Sequence, residues 1–485
     1  MNNTYDILII GAGAVGCAIA RELSRYQLRI AVVEKDPDVA GETSGRNSAV
    51  VHAGFNSRPG SLMAKLCVEG SQGFEALCAE LNVPYRKTGK YLVAFNESDK
   101  EILRGLVEKG TQNGCRGLHM IDSEELHRAL PGVGGVSAMS SPETAIFDPF
   151  LYTVALAENA VSNGVQFFLS HAVTTMEKTA EGFAVTAGGV TFTTRCLVNS
   201  AGLCAADIAA MAGVPDYRIH PCRGEYYILD TIAADVLSVP VYPAPRPGIG
   251  GLGVHLTPTI HGNVIIGPSA EYLDDGSDYS TTASTLDKLW REAQQLLPTL
   301  QRSSIIGSFA GIRPKTAPPT EGGYHDFIIR HEPAQPGLID LIGIESPGLT
   351  ASVPIGRMVC GLVSDLLEMR PRPDFQGKHL GILRFREQTP ERQAELIAAN
   401  PDYGEVVCRC QTVTRQEVRA AIENPLGVHT LSGIKYRAWC MTGRCQGGYC
   451  MTRVAEILRD EYGIAPEDIR TRGEGTYLFS GKVKP

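Results

Sequence analysis

The sequence lacks an apolar run long enough to cross a bilayer, a long run of one charge sign, an internal repeat and a low-complexity tract. The apolar stretch from Ile7 to Ala20 is too short to span a membrane and is interrupted by glycines. No basic segment precedes it, so we expect no secretion signal. The net charge of −8 is spread along the chain and argues against a nucleic-acid partner. These absences predict a cytoplasmic protein, peripheral at the inner membrane at most.

Cysteine is unevenly distributed in the 485-residue chain. Of 13 cysteines, five lie between Cys408 and Cys450 and the other eight are scattered over the first 400 residues. In a reducing compartment, clustered cysteines serve as metal ligands or redox groups more often than as disulfides. The distribution therefore predicts a separate C-terminal module.

The order of apolar and Gly/Pro-rich segments predicts an α/β chain with several domains. A strand from Tyr5 to Ile10, a helix from Val15 to Arg25 and a strand from Arg29 to Glu34 form a β-α-β unit. Further predicted elements are strands at Glu225 to Leu229, Asn263 to Ile266 and Leu338 to Ile342, a helix beginning near Pro354, and a short helix from Pro390 to Ala399. The predicted units are a nucleotide-binding part (about 1–85, 146–215 and 306–367), a sheet-built substrate part (about 86–145 and 216–305), a linker (368–403) and the C-terminal module (404–485).

A dinucleotide-binding fingerprint occupies the first turn. Gly11-Ala12-Gly13-Ala14-Val15-Gly16 follows a predicted strand and opens a helix, and Glu34 ends the next strand. In this pattern the glycines permit a tight turn and a close approach to pyrophosphate, while the acid accepts a ribose hydroxyl and disfavours NADP. The alternative is a β-α-β unit with incidental glycines. The fingerprint alone does not separate FAD from NAD.

The segment from Glu42 to Gly54, E-T-S-G-R-N-S-A-V-V-H-A-G, resembles flavoproteins of the D-amino-acid-oxidase superfamily. Within that superfamily it is similar to L-2-hydroxyglutarate oxidases and glycerol-3-phosphate dehydrogenases, as are the blocks at 58–67, 223–227, 253–257, 310–314 and 345–350. The resemblance implies FAD. The fingerprint and the resemblance together place the following residues at the cofactor: Gly11, Gly13, Ala14, Val15, Gly16, Glu34, Lys35, Thr43, Ser44, Arg46, Asn47, Ser48, His52, Val173, Ala201, Gly202, Gly348, Leu349 and Thr350.

Oxidation of a C–H bond by a flavin needs a base for the substrate proton and a group that holds the substrate's anionic end. His52 is the first candidate for the base, and His255 competes with it. Arg313 is the candidate anion clamp, and Tyr226 and Arg223 are expected to line the same pocket. The alternatives are that His52 only holds the flavin, that His255 is a satisfied sheet residue, and that Arg223 pairs with Glu225 or another acid.

Four cysteines in two close pairs define the C-terminal module. Cys408 and Cys410 are separated by 34 residues from Cys445, which is followed by Cys450. Two thiolate pairs suit an iron–sulfur cluster, with a four-cysteine zinc site as the alternative. The segment G-R-C-Q-G-G-Y-C resembles the bacterioferritin-associated-ferredoxin-like 2Fe–2S domain. Between the pairs, a capping box at Thr414 predicts a helix to Ile422, and Cys440 has no place in the ligand pattern.

These observations predict a Rossmann-type FAD domain, an α+β substrate domain and a small Fe–S domain. The expected function is a dehydrogenase that oxidises L-2-hydroxyglutarate, a similar 2-hydroxy acid, or glycerol 3-phosphate. The cluster would pass electrons to a flavoprotein, a quinone-linked subunit or a ferredoxin-like protein. Blocks 223–227 and 253–257 are closer to the hydroxyglutarate branch, whereas the cysteine module is typical of glycerol-phosphate alpha subunits. An amino-acid or amine dehydrogenase, and an electron-transfer subunit with a vestigial pocket, remain as alternatives.

Overall fold

The computed structural model describes residues 3–231, 237–245 and 253–481. The helices of this part of the chain are α1 (Ala14–Leu23), α2 (Leu62–Leu81), α3 (Glu97–Gln112), α4 (Ser123–Ala129), α5 (Pro149–Ser162), α6 (Ala205–Met211), α7 (Ala283–Leu296), α8 (Gly348–Ser364), α9 (Pro390–Ala399), α10 (Arg415–Ile422), α11 (Leu431–Ala438) and α12 (Cys450–Tyr462). The strands are β1 (Thr4–Ile10), β2 (Ile30–Val33), β3 (Val50–Val51), β4 (Tyr85–Lys87), β5 (Tyr91–Ala94), β6 (His119–Ile121), β7 (Ser137–Ser140), β8 (Ala145–Phe147), β9 (Gln166–Phe168), β10 (Val173–Lys178), β11 (Phe183–Ala187), β12 (Val190–Asn199), β13 (His220–Leu229), β14 (Val241–Pro243), β15 (His255–Pro258), β16 (Val264–Gly267), β17 (Glu271–Tyr272), β18 (Ile305–Lys315), β19 (Ile328–His331), β20 (Leu338–Ile342), β21 (Val406–Cys408) and β22 (Val413–Thr414).

The first sheet is the nucleotide-binding sheet, built around the buried strand β1. Strands β1, β2, β9, β12 and β20 run parallel, and an antiparallel ribbon, β10 and β11, extends one edge. Strand β1 is apolar on both faces because helices α1, α5 and α8 cover one side and α6 with the ribbon covers the other. The fingerprint turn therefore lies at the carboxyl end of β1, where ligands bind in parallel sheets.

The second sheet has nine strands in the order β17-β13-β16-β15-β14-β5-β7-β6, with β18 on the free edge of β13. Strands β13 and β18 pair antiparallel over almost their full length, with Tyr226 opposite Phe309 and Cys222 opposite Arg313. Helix α7 packs on this sheet through Leu289, Trp290 and Ala293. This sheet carries Tyr226, His255 and Arg313 and faces the nucleotide-binding sheet across a cavity.

The C-terminal module has its own apolar core. Strands β21 and β22 form a small hairpin, and helices α10, α11 and α12 pack around Val418, Ile434 and Val454. The predicted capping box is present: Thr414 Oγ1 accepts from the Glu417 backbone, and the Glu417 side chain accepts from the Thr414 backbone. The predicted helix to Ile422 is confirmed.

The module docks on helix α5 of the nucleotide-binding domain through α11. Arg437, whose side chain is 2% exposed, donates to Asp38 at 2.7 Å and to Glu158 at 2.9 Å. Beside it, the rings of Tyr436 and Phe150 stack at 3.9 Å. The next aromatic residue of the module, Trp439, stacks on His261 at 3.5 Å, and His261 bonds to Asp148 at the start of α5. Charged and aromatic contacts thus hold the module on the domain.

Three sequence expectations need correction. Helix α8 begins at Gly348 and not near Pro354. Proline has no N–H, so Pro354 cannot bond the Thr350 carbonyl one turn earlier. That carbonyl instead packs closely against Gly70 of α2, where a side chain would collide with it. Residues 306–315, expected in the nucleotide-binding part, belong to strand β18 of the second sheet because they pair with β13. The first part of the expected linker is fixed on the domain: Arg372 N donates to Arg25 O, and Gln376 N donates to Asn163.

The short helix expected from Pro390 to Ala399 is present with those bounds. The remaining domain boundaries stay predictions. In the described ranges, no helix is both long and apolar enough to cross a membrane.

Candidate active site and cluster site

A cavity of about 1900 Å³ lies between the two large sheets. Its walls include every residue predicted at the cofactor except Gly16, together with His52, Tyr226, His255 and Arg313. The sequence places these residues up to 339 positions apart, from Gly11 to Thr350, and the fold brings them into one continuous space. Arg223 is not part of its wall.

The fingerprint turn has the geometry that a pyrophosphate needs. Gly11 has φ +98°, and a Cβ there would lie 2.7 Å from the Ser200 carbonyl oxygen. Gly16 lies inside α1, where a side chain would collide with the Gly11 carbonyl, so this glycine allows the helix to pack closely against the turn. Ala14 N, at the start of α1, donates to Ser44 Oγ at 2.9 Å. Helix N–H groups and the Ser44 hydroxyl therefore meet where the cofactor phosphates would bind.

Glu34 lies at the end of β2 and lines the cavity. Its carboxylate accepts from Ala12 N at 2.6 Å and from Asp36 N at 2.9 Å. Burial raises the pKa of Glu34 to about 7, although these backbone donors oppose the shift. A carboxylate held this way suits the ribose hydroxyls of a dinucleotide.

The loop after Glu42 is held in place by its own polar side chains. Thr43 Oγ1 donates to the Ile312 carbonyl of β18 at 2.7 Å, and Asn47 Nδ2 donates to the Ser44 carbonyl at 2.7 Å. Arg46 lies over the Tyr279 ring at 4.4 Å. The loop therefore connects both sheets and fits a flavin between them.

His52 lies directly after β3 and lines the cavity. Its backbone N–H donates to Thr350 Oγ1 at 3.1 Å, and its Nε2 is 3.3 Å from Ser346 Oγ. Burial, together with the charge of Lys90, lowers the pKa of His52 to about 3. The imidazole is therefore neutral at physiological pH, and one of its ring nitrogens can accept a hydrogen bond.

His255 is fixed more tightly than His52. Its Nδ1 bonds the Gly253 carbonyl at 3.0 Å, and its ring stacks on Tyr242 at 3.8 Å. Burial lowers the pKa of His255 well below the usual range. Ser48 Oγ is 3.5 Å from His255 Nε2 and 3.3 Å from the Tyr226 hydroxyl, so these three side chains form one polar group in the cavity wall.

Arg313 reaches the cavity from β18. Its Nη2 donates to the Ser269 carbonyl at 2.6 Å, which fixes the guanidinium while leaving other N–H donors available. Arg223 does not share this site, contrary to the expectation from sequence. It pairs with Asp278 at 2.6 Å and Glu271 at 2.7 Å, with Glu225 3.5 Å away. Its acidic neighbours hold its buried side chain away from the cavity wall.

Ser346 lines this cavity, and Lys90 lies close enough to His52 and His255 to affect their pKa values, but neither was assigned a role from the sequence. Lys90 is buried, its Nζ has no hydrogen-bond partner, and it lies 4.4 Å from the Tyr242 ring and 4.7 Å from the Phe55 ring. Burial lowers the pKa of Lys90 to about 7. The sequence around Lys90 does not indicate that the lysine is buried, because the two aromatic rings that enclose it come from distant parts of the chain.

The four predicted cluster ligands lie together. Cys408 Sγ is 3.8 Å from Cys410 Sγ, Cys408 also contacts Cys450, and Cys410 contacts Cys445. In the described ranges, no three Cys, His, Asp or Glu side chains surround a single point closely enough to hold one metal ion. The four thiols contact one another in sequence, from Cys450 through Cys408 and Cys410 to Cys445, so a cluster could be held by all four.

Backbone N–H groups surround these thiols. The donors to the sulfurs come from Gln411, Met441, Gly447 and Tyr449. Those on Cys445 lower the pKa of its thiol. Cys440 is buried in the core of the module and is not one of the converging thiols. The donor set and the amides around it therefore fit a 2Fe–2S cluster.

Comparison with known proteins agrees with both sites. Residues 6–362 match the family "FAD dependent oxidoreductase", and residues 406–460 match "BFD-like [2Fe-2S] binding domain". A glycerol 3-phosphate dehydrogenase from Caloramator mitchellensis is 36% identical over 483 residues, which are 99% of each chain. An L-2-hydroxyglutarate dehydrogenase from Indibacter alkaliphilus is 32% identical over 73% of this chain and 98% of its own.

A solved structure shares the fold of the first two domains. It is an FAD-bound L-alpha-glycerophosphate oxidase from Mycoplasma pneumoniae, with a TM-score of 0.72 and 31% identity over 78% of this chain and 98% of that chain. The first matched family covers the residues that line the cavity, and the second covers the four thiols. The chain belongs to the FAD-dependent oxidoreductase family and carries a BFD-like 2Fe–2S domain at its C-terminal end.

Proposed function

We propose that the protein oxidises the secondary alcohol of glycerol 3-phosphate and sends the electrons through its 2Fe–2S cluster to a separate acceptor. The observation that carries the proposal is the relative named glycerol 3-phosphate dehydrogenase, which aligns over 99% of both chains and so includes the cluster module. The relatives named L-2-hydroxyglutarate dehydrogenase align over only 73% of this chain.

The chemistry requires three groups around the substrate carbon. FAD, when bound, supplies the hydride acceptor. We assign the phosphate to the guanidinium of Arg313 and the hydroxyl proton to Nε2 of His52. The hydride leaves from carbon as the proton leaves from oxygen, so the alcohol becomes a ketone.

Neighbouring side chains support these roles. Ser346 Oγ lies 3.3 Å from His52 Nε2 and can hold the substrate hydroxyl against that nitrogen. The group formed by Tyr226 and His255 of the second sheet and Ser48 of the loop before β3 can bond the remaining substrate hydroxyl. The bound phosphate dianion also favours the imidazolium that forms, because opposite charge raises the pKa of an imidazole.

L-2-hydroxyglutarate is the second candidate substrate. The alignments of 31–34% identity with dehydrogenases of that name favour it for the catalytic half. It carries two carboxylates, of which Arg313 can clamp one. The alignment over 99% of both chains, which includes the cluster module, favours glycerol 3-phosphate.

The acceptor is proposed to be a separate redox protein or quinone-linked subunit. On that basis the protein would work in the cytoplasm, at the inner membrane when its acceptor is membrane-bound. Thiols Cys410 and Cys445 are exposed and can face such a partner.

Flavin bleaching tests the substrate. Anaerobic protein is mixed separately with glycerol 3-phosphate, L-2-hydroxyglutarate, glycine, sarcosine and proline. The proposal expects rapid bleaching with glycerol 3-phosphate alone. Bleaching by L-2-hydroxyglutarate or an amine instead would reassign the substrate, and bleaching by none would support a vestigial pocket.

Arg313→Lys sharpens that screen. The variant keeps the positive charge but loses the planar fork, so the KM for glycerol 3-phosphate should rise about tenfold or more. Arg223→Lys is the matched control, because Arg223 lies outside the cavity wall; its KM should stay near the wild-type value. Equal effects of the two substitutions would contradict the role of Arg313.

A further inference from the structure

We propose that the exposed side of the cluster module docks an acidic electron-transfer protein. This surface, called the cluster edge, consists of Arg409, Cys410, Arg444, Cys445 and Tyr449. The inference rests on the proposed function and names the chemistry of its acceptor.

The thiols differ in exposure. Cys408 and Cys450 are buried, with only 1% of each residue exposed, whereas Cys410 and Cys445 are exposed. A cluster held by the four sulfurs would therefore open to solvent on the side of Cys410 and Cys445. Electron transfer slows steeply with distance, so a partner that receives single electrons gains most by binding at this edge.

Two arginines flank the exposed thiols, one next to each. Arg409 precedes Cys410 and lies 4.4 Å from the ring of Tyr449, while Arg444 precedes Cys445. Neither forms an ion pair with any residue in the described ranges. Apart from Arg472, which bonds the Tyr436 hydroxyl, the other arginines of the module are paired with acids: Arg415, Arg419, Arg437, Arg453, Arg459 and Arg470. Uncompensated positive charge is therefore concentrated at the edge of a chain whose net charge is −8.

The surface also carries an aromatic anchor. Tyr449 is 37% exposed, and its ring lies beneath the Arg409 guanidinium. Arginine and tyrosine are enriched at the centres of protein interfaces. A positive rim around a redox-active centre attracts a partner of opposite charge and orients it. An acidic protein fits this combination.

Two other roles fit the arginines less well. Adsorption to anionic lipid generally needs clusters of about four to eight basic residues, and the edge has two without partners. The second alternative is that the arginines stabilise the negative charge of the cluster itself, which requires hydrogen-bond donors close to the sulfurs. The backbone N–H groups of Gln411, Met441, Gly447 and Tyr449 already point at the sulfurs, whereas exposed arginines are screened by salt.

The transfer step is simple to balance. The reduced cluster loses one electron, and a ferric haem in the acceptor becomes ferrous. No atom or proton moves between the proteins. Cytochrome b5, an acidic haem protein, serves as the probe, and cytochrome c, a basic haem protein, serves as its opposite.

Binding is measured by calorimetry with both proteins oxidised, so that no substrate or turnover is needed. At about 20 mM salt, the holoprotein should bind cytochrome b5 at least tenfold more tightly than cytochrome c, and about 200 mM salt should remove most of this preference. The double substitution Arg409→Glu and Arg444→Glu should weaken cytochrome b5 binding at least tenfold. Arg104→Glu with Arg116→Glu, on exposed residues of the substrate domain, is the control with the same change in net charge and should leave binding within about twofold.

The outcomes separate this inference from the proposed function. Equal binding of the two cytochromes, or equal loss in the edge and control variants, would overturn the docking surface even if glycerol 3-phosphate bleaches the flavin. Binding to anionic phospholipid vesicles without binding to cytochrome b5 would also overturn it, in favour of a membrane. If the glutamate variant loses iron, Arg409→Gln with Arg444→Gln is measured by the same criterion. The rate of reduction of a neutral benzoquinone should be unchanged in variants that retain the cluster.

Discussion

Arg437→Met should loosen the cluster module from the flavoprotein. Arg437 is 2% exposed and bridges Asp38 and Glu158, whose side chains are 14% and 9% exposed. Methionine keeps much of the length of the side chain but leaves these carboxylates without their cation. Breaking a buried ion pair in this way costs about 3–5 kcal/mol. Since each 1.4 kcal/mol is a factor of ten, the ratio of docked to undocked module should fall by about two to four orders of magnitude.

Contacts that do not involve Arg437 remain in the variant and limit the loss of docking. Glu158 keeps His379 at 3.0 Å, and the Tyr436–Phe150 stack does not depend on Arg437. Arg419→Met is the matched control, because Arg419 pairs with Asp402 of the linker and Glu461 of the module and is 38% exposed. Its effect on docking should be below about 1 kcal/mol.

Stopped-flow spectroscopy measures the consequence. After mixing with glycerol 3-phosphate, the Arg437→Met flavin should bleach at the wild-type rate, while cluster reduction should slow by at least tenfold. Limited proteolysis should cut the segment between residues 381 and 403 faster than in the wild type. Unchanged cluster reduction together with an unchanged digestion pattern would refute the claim that this ion pair holds the module in place.

Three further predictions concern the cofactors and the buried lysine. Glu34→Gln should weaken FAD binding about tenfold in an equilibrium titration, because the amide replaces an acceptor for the ribose hydroxyls; unaltered affinity would contradict that role. Lys90→Met should raise the thermal midpoint more at pH 7 than at pH 10. The lysine pKa is about 7 in the fold and about 10.5 when unfolded, so its destabilising effect is full below pH 7 and lost as the pH rises; a gain independent of pH would disprove this. Cys445→Ala should abolish the cluster's EPR signal and Cys440→Ala should retain it, whereas the reverse would reassign the ligands.

The sequence reveals the parts of the site that are contiguous in the chain. Four of these parts are short patterns with fixed spacing: the glycine turn, Glu34, the loop from Thr43 to Ser48, and the cysteine pairs. In the structure the first three line the cavity and the cysteine pairs lie together. Each pattern works through local backbone geometry, which neighbouring residues determine.

The residues that sequence reasoning missed or misplaced depend on tertiary neighbours. Lys90 looks like an ordinary strand residue until Phe55 and Tyr242 enclose it. Arg223 lies in a block that resembles a substrate site, but its acidic neighbours come from residues 48 and 55 positions away. Arg437 gives no sign in the sequence that it bridges residues some 280 and 400 positions away. Long-range pairing of this kind cannot be found from one sequence by spacing or composition.

The central claim is that one chain carries electrons from an anionic alcohol through FAD to a 2Fe–2S cluster. The most direct test is to mix anaerobic holoprotein with glycerol 3-phosphate and follow the flavin absorbance and the EPR signal of the cluster over time. The account predicts that the flavin bleaches first and that the reduced-cluster signal then appears. A bleached flavin beside an intact protein whose cluster stays oxidised would contradict it.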